Sequence, residues 1–260
     1  MSEQAPSPGW SVTEIAALRQ SFGNWARDYH RLRPGYPPAA FDFLAGLAHT
    51  AAGTDRTPDC LDLGAGTGML AAGLLSRGLD VVGVEPDDRM RTVLAEVLGD
   101  RNALAGTAEA IPVPDNSVDL VTAGQMWHWV NQRHAAAEVA RVLRPGGVLA
   151  ICWTLRDDRV GWVADFAATV GLTDMYLSAA TDRPVELPPP FASAHLTEFE
   201  FGLRMNAADL VDQLATFATV AMRDGPNRLA VAGDFLAANP ATQGEFIAPF
   251  VCKIFIASLP

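Results

Sequence analysis

From Cys60 onward the chain alternates short apolar runs with stretches of helical periodicity. Cys60–Leu63 predicts a strand that stops at Gly64, and Gly68–Ser76 predicts a helix closed by Gly78. Val81–Glu85 predicts a second strand. Asp87 or Asp88 then caps a helix whose apolar positions Met90, Val93, Leu94, Val97 and Leu98 follow i, i+3, i+4, i+7, i+8. A third strand is expected near Ala103–Gly106 and a fourth over Val118–Ala123. The next helix presents Ala136, Val139, Ala140 and Leu143 on one face. Arg144-Pro145-Gly146-Gly147 stops it and turns the chain into a fifth strand, Val148–Cys152. Strands alternating with helices predict an α/β fold with a doubly wound, mostly parallel sheet covered on both faces. Ligands of such sheets bind beyond the carboxyl ends of the strands.

The flanks are less regular. Residues 1 to about 20 predict a tail leading into a short helix. Phe22 to Pro38 is rich in aromatics, arginines and prolines, ahead of a helix around Ala39–Leu47. After Cys152 a helix is expected within Gly161–Met175, then a proline-rich connector from Pro184 to Pro190 and a strand over Thr197–Met205. Helices over Ala207–Met222 and Asn227–Ala238 and a last strand at Ile247–Ile256 complete the chain. This divides it into an N-terminal helical flap (1–50), a ligand-binding core (51–155) and a C-terminal part (156–260) that completes the sheet and shapes a pocket.

The chemistry begins at Asp62-Leu63-Gly64-Ala65-Gly66-Thr67-Gly68. Glycines there let the backbone turn sharply and approach a ligand that a Cβ would block. Glu85 follows Gly64 by 85 − 64 = 21 positions, so two adjacent parallel strands can share one nucleoside, with the acid accepting from both ribose hydroxyls. A dinucleotide loop reads G-x-G-x-x-G, but here the spacing is G-x-G-x-G and Met69 occupies the third-glycine position. A phosphate loop would need its own lysine, and the only lysine is the distant Lys253. A phosphate-free nucleoside therefore fits better than NAD or ATP.

This loop resembles motif I of the class I S-adenosylmethionine-dependent methyltransferases, of the methyltransferase-11-like type. Val82-Gly83-Val84-Glu85-Pro86 is similar to their ribose-binding strand end. The resemblance implies a seven-stranded Rossmann-like sheet with an antiparallel final strand, S-adenosyl-L-methionine as cofactor and a small-molecule methyl acceptor. It extends to Tyr29, Arg33, Pro34, Tyr36 and Pro37, which match a Tyr-x-x-x-Arg-Pro-x-Tyr-Pro run of one subgroup, and it implies that Arg33 pairs with the methionine carboxylate. Trans-aconitate-type carboxylate methyltransferases are the nearest relatives it suggests. Cofactor contacts implied are Tyr29, Arg33, Asp62, Gly64, Ala65, Gly66, Gly68, Glu85, Pro86, Met90, Ala108, Glu109 and Gln125. Ala108 and Glu109 would reach the adenine edge, with Arg89 and Met90 on its other face.

Gln125-Met126-Trp127-His128-Trp129-Val130-Asn131 is similar to the family's segment after the fourth strand, where an acid is common at the Asn131 position. Gln125 is expected at the strand tip where the methyl group sits, His128 is the general-base candidate, and Trp127 or Trp129 would form a wall of the site or pack in the core. Histidine alone titrates near neutrality without help. An enzyme of the same fold that binds the cofactor without transferring a methyl group is the alternative. The remaining histidines, His30, His49, His134 and His195, share no metal-ligand spacing.

Composition narrows the partners. The net charge of −11, with no dense Lys/Arg cluster, argues against nucleic acid and against an anionic membrane. No apolar run reaches the roughly 20 residues of a spanning helix, and the N-terminal residues lack the basic and apolar regions of a signal peptide. The scattered Cys60, Cys152 and Cys252 read as small buried hydrophobes in a reducing cytoplasm. The Asp55–Asp59 and Asp157–Asp158 acids read as solvated loop charges. Monomer and homodimer both remain open.

Overall fold

The computed structural model describes residues 33–53, 56–172, 187–191, 194–216, 220 and 225–259. The expected helix before residue 20, Tyr29 and the start of the proline-rich connector lie outside these residues.

The core is a seven-stranded sheet of order β3-β2-β1-β4-β5-β7-β6. Its strands are β1 (Asp59–Leu63), β2 (Asp80–Val84), β3 (Ala103–Leu104), β4 (Val118–Gly124), β5 (Leu143–Arg156), β6 (His195–Met205) and β7 (Phe246–Ser258). β7 runs antiparallel to both neighbours and the other pairings are parallel. The helices are α1 (Pro38–Ala52), α2 (Met69–Leu75), α3 (Asp88–Leu98), α4 (Gln132–Val142), α5 (Gly161–Val170), α6 (Ala207–Ala215) and α7 (Gly225–Ala238).

The sheet is buried on both faces, which is why its central strands read as nearly unbroken apolar runs. On one face Ala40, Phe41 and Leu44 of α1, Leu70 and Leu74 of α2 and Leu94 of α3 pack on Cys60, Val81, Ala150 and Cys152. On the other, Ala135, Ala136, Val139 and Val142 of α4 pack on Leu61, Leu63, Val121 and Ile151. A third cluster joins α5, α6 and α7 to the ends of β6 and β7 around Phe166, Leu214, Leu236 and Phe250.

Some expectations change. The helix placed in the N-terminal flap is a sheet-covering element, because its Ala40, Leu44 and Ala48 are wholly buried. Arg144 to Gly147 does not end before the fifth strand. It forms an irregularity within β5, where the register moves from Val118↔Leu143 to Leu120↔Val148. All three cysteines are free and buried, and burial pushes the Cys60 and Cys252 thiols up to about 12. Asp157 is not a solvated charge: it is 7% exposed and ion-paired with Arg159 at 2.7 Å. Asp59 is likewise bound, to Arg56 at 3.0 Å and Arg144 at 2.9 Å. These arginines also clasp Asp119, at the foot of β4. No helix among the described residues is long and apolar enough to cross a membrane.

Candidate active site

Parallel pairing of β1 with β2 sets Leu63 opposite Val84, so the glycine turn and Glu85 emerge side by side. The Ala65 N–H donates to Val84 O at 3.1 Å and closes the turn against β2. Glu85 is 8% exposed, and its Oε2 accepts from the Gly66 N–H and its Oε1 from the Asp87 N–H, both at 2.9 Å. Burial raises this carboxyl above the usual range, and the two N–H bonds offset only part of that. Each oxygen keeps a lone pair beyond its backbone bond. Those lone pairs suit the two hydroxyls of a ribose.

The three loop glycines have different reasons to be glycine. Gly64, Gly66 and Gly68 all have positive φ, at 63°, 57° and 84°. A Cβ on Gly64 would stand 2.9 Å from Met126 Cγ, and one on Gly68 2.9 Å from Leu94 Cδ1. A Cβ on Gly66 would meet nothing within 4 Å. Open space over Gly66, beside a buried carboxylate, is a cradle for a ligand.

Asp62 supports this cradle from beneath. It is 1% exposed, its Oδ2 accepts from the Ala71 N–H at 3.1 Å and its Oδ1 from the Thr122 hydroxyl at 2.9 Å. The side chain thus ties α2 and β4 to β1, and burial pushes it up to about 7. Expected among the cofactor contacts, Asp62 has both oxygens turned inward. Met90 is 4% exposed, and Arg89 is drawn onto Asp87 at 2.9 Å. Pro86 forms the exposed turn between Glu85 and the α3 cap Asp87. Ala108 is buried. The Glu109 Oε1 accepts from the Asn131 N–H at 2.9 Å, so this carboxylate braces two loops through one of its oxygens.

At the tip of β4, Gln125 has φ 58°, a conformation that non-glycine residues rarely adopt. It is held there by its own N–H on Cys152 O at 2.9 Å and by Nε2 donating to Thr154 O at 2.8 Å. Such outliers persist only where the surroundings over-determine them. Trp127, His128 and Trp129 form a 3-10 turn just beyond Met126, with Trp127 fully buried, His128 half-buried and the His128 and Trp129 rings 4.7 Å apart. Asn131, in the position where an acid is common, caps α4 by accepting from the His134 N–H at 3.2 Å.

Arg33 and Arg156 both reach the C-terminal end of α6. The Arg33 Nη2 donates to Thr216 O at 3.3 Å and the Arg156 Nη2 to Gln213 Oε1 at 2.8 Å. Burial first, and then the neighbouring charge of Arg33, lower the Arg156 guanidinium to about 9. No motif flags Arg156. It arrives because β5 extends to its position and α6 folds back across the strand ends. Tyr29 lies outside the described residues. Among the described residues no group of His, Cys, Asp and Glu could hold a metal ion.

The Methyltransf_11 family model, a methyltransferase domain, matches residues 61–151, from β1 into β5. An uncharacterised methyltransferase of Mycobacterium tuberculosis is 44% identical over 196 residues, covering 75% of this chain and 76% of that protein. An uncharacterised methyltransferase of Schizosaccharomyces pombe is 37% identical over 147 residues, covering 56% and 57%. A solved structure described as a type II methyltransferase from Anaeromyxobacter dehalogenans superposes with a TM-score of 0.63 at 26% identity, covering 88% of this chain and 99% of that one.

Proposed function

Because the chain belongs to the class I S-adenosylmethionine-dependent methyltransferases, we propose that it transfers the methyl group of S-adenosylmethionine to a small-molecule acceptor. The observation that carries the reading is the Glu85 carboxylate, buried at the tip of β2 and bonded to Gly66 N–H at 2.9 Å beside open space. The residues fit the cofactor: a diol acceptor at Glu85, a loop without a phosphate partner, and guanidinium charge at Arg33 and Arg156 for the methionine carboxylate.

When bound, the sulfonium supplies an electrophilic methyl and a leaving group that departs neutral. The chain's own contribution is then alignment, which is worth on the order of 7–11 kcal/mol in well-oriented reactions. Gln125, clamped to β5, fixes the floor beneath the methyl. His128, on the adjoining 3-10 turn, takes the proton that an O–H or N–H nucleophile loses, a role worth roughly 10²–10⁴ in rate. The C-terminal part closes the acceptor side.

Thermal-shift titration with S-adenosylmethionine, S-adenosylhomocysteine, NAD and NADP tests the binding step, since a ligand of the native state raises the midpoint by mass action. Stabilisation by the first two alone is expected, followed by release of S-adenosylhomocysteine with an acceptor. Stabilisation by NAD or NADP instead would overturn the cofactor assignment. Release of no S-adenosylhomocysteine across an acceptor library would favour the non-methylating alternative.

A further inference from the structure

Two buried donors lie beside the proposed methyl position with no acceptor. Trp127 is 1% exposed and Trp153 is 5% exposed, and neither indole Nε1–H has a hydrogen-bond partner. Buried polar groups are nearly always paired, so an exception calls for a physical reason. Here there are two exceptions in one place. The β4–β5 register sets Gly124 opposite Cys152, which brings Trp153 level with Gln125, while Trp127 follows Gln125 by two residues. Both indoles belong to one apolar cluster with Ile151 and Phe255, and Trp153 meets Phe255 edge-on at 5.5 Å. Phe191 joins this cluster and Leu187 packs against it, both from the segment that precedes β6. Lys253 stands opposite Trp153 on β7, but its ammonium lies 2.9 Å from the Glu198 carboxylate.

We infer that Trp127 and Trp153 form the acceptor subsite, which receives a neutral apolar molecule through a carbonyl-type oxygen that both indole N–H groups bond. The inference rests on the methyltransferase reading of this site and names the class of its acceptor. A carbonyl oxygen offers two lone pairs, one for each indole, and needs no counter-charge. A carboxylate or phosphate would lose its hydration against aromatic walls and regain only two neutral donors. The cofactor's own carboxylate has Arg33 and Arg156 elsewhere on the rim. Without the acceptor's oxygen both donors stay unpaired, which is how a site built to hydrogen-bond rejects analogues lacking the group.

The test uses 15N-labelled full-length protein saturated with S-adenosylhomocysteine and two probes that differ in one group, acetophenone and α-methylstyrene. Cross-peaks of the two indoles are assigned from Trp127→Phe and Trp153→Phe. Acetophenone is expected to move both resonances downfield, and α-methylstyrene to move neither comparably. Each Phe variant should weaken acetophenone about fivefold, the worth of one neutral hydrogen bond, with S-adenosylhomocysteine affinity unchanged. Should a variant fail to fold, triple-resonance assignment of the wild-type indoles replaces it, and the wild-type titration still decides. The inference is overturned if acetophenone at millimolar concentration leaves both resonances in place, if the hydrocarbon moves them equally, or if benzoate binds there more tightly than acetophenone. Calorimetry of S-adenosylhomocysteine, done first, reports separately on the cofactor reading, and the indole titration can then be read on the free protein.

Discussion

Substituting alanine at Gly66 and at Gly68 separates ligand approach from packing within a single loop. Both residues have positive φ, 57° and 84°, and forcing an L-residue there costs roughly 1–2 kcal/mol. At Gly66 nothing stands within 4 Å of the added methyl, so Gly66→Ala adds no clash to that cost. In a chain of this size about 1 kcal/mol moves the melting midpoint by roughly 2–4 °C. The methyl does, however, enter the open space over the loop, which the proposed function assigns to the nucleoside. S-adenosylmethionine affinity should fall about tenfold or more, equivalent to at least 1.4 kcal/mol. At Gly68 the methyl meets Leu94 Cδ1 at 2.9 Å, and Leu94 is wholly buried. Overpacking of this kind adds about 1–3 kcal/mol, so Gly68→Ala should melt lower than Gly66→Ala yet keep its affinity within about threefold, less than 1 kcal/mol. Isothermal calorimetry and thermal melts on both variants read the two quantities independently. Native affinity in Gly66→Ala, or loss of binding confined to Gly68→Ala, would refute the assignment of the open side of the loop to the cofactor.

Three further outcomes follow from the site. Glu85→Ala should weaken S-adenosylmethionine about tenfold or more, and near-native affinity in a filter-binding assay would show that the ribose lies elsewhere. Asp62, at about 7 in the fold against 3.8 for the free side chain, ionises more readily in the unfolded chain. Its contribution to stability is therefore fully present below pH 3.8 and is lost as the pH rises through about 7. At 1.36 kcal/mol per unit the loss is roughly 4 kcal/mol. Urea midpoints measured from pH 4 to 8 should fall across this window in the wild type and stay flatter in Asp62→Asn; parallel curves would sink the claim. His128→Asn should lower kcat by about 10² or more and abolish the acid limb of its pH profile while leaving cofactor affinity intact. An unchanged profile would assign His128 to packing.

What the chain discloses unaided is what local chemistry encodes. Strands buried on both faces appear as apolar runs, Asp87 caps α3 as its side chain requires, and the glycine spacing marks the positive-φ turn that brings the loop beside Glu85, because backbone conformation and reach are short-range properties. Other parts became visible only after folding. Asp62 carries the right chemistry to touch a cofactor, but strand register turns both its oxygens onto Ala71 and Thr122, and loop closure gives one Glu109 oxygen to the Asn131 N–H. Arg156 follows no motif and reaches Arg33 only because α6 returns over the end of β5. The unpaired indoles of Trp127 and Trp153 belong to the same category: aromatic residues in sequence, donors without acceptors once buried. Periodicity and spacing act over a few residues, whereas which polar atoms are satisfied depends on segments far apart in the chain, so only the assembled sheet decides it.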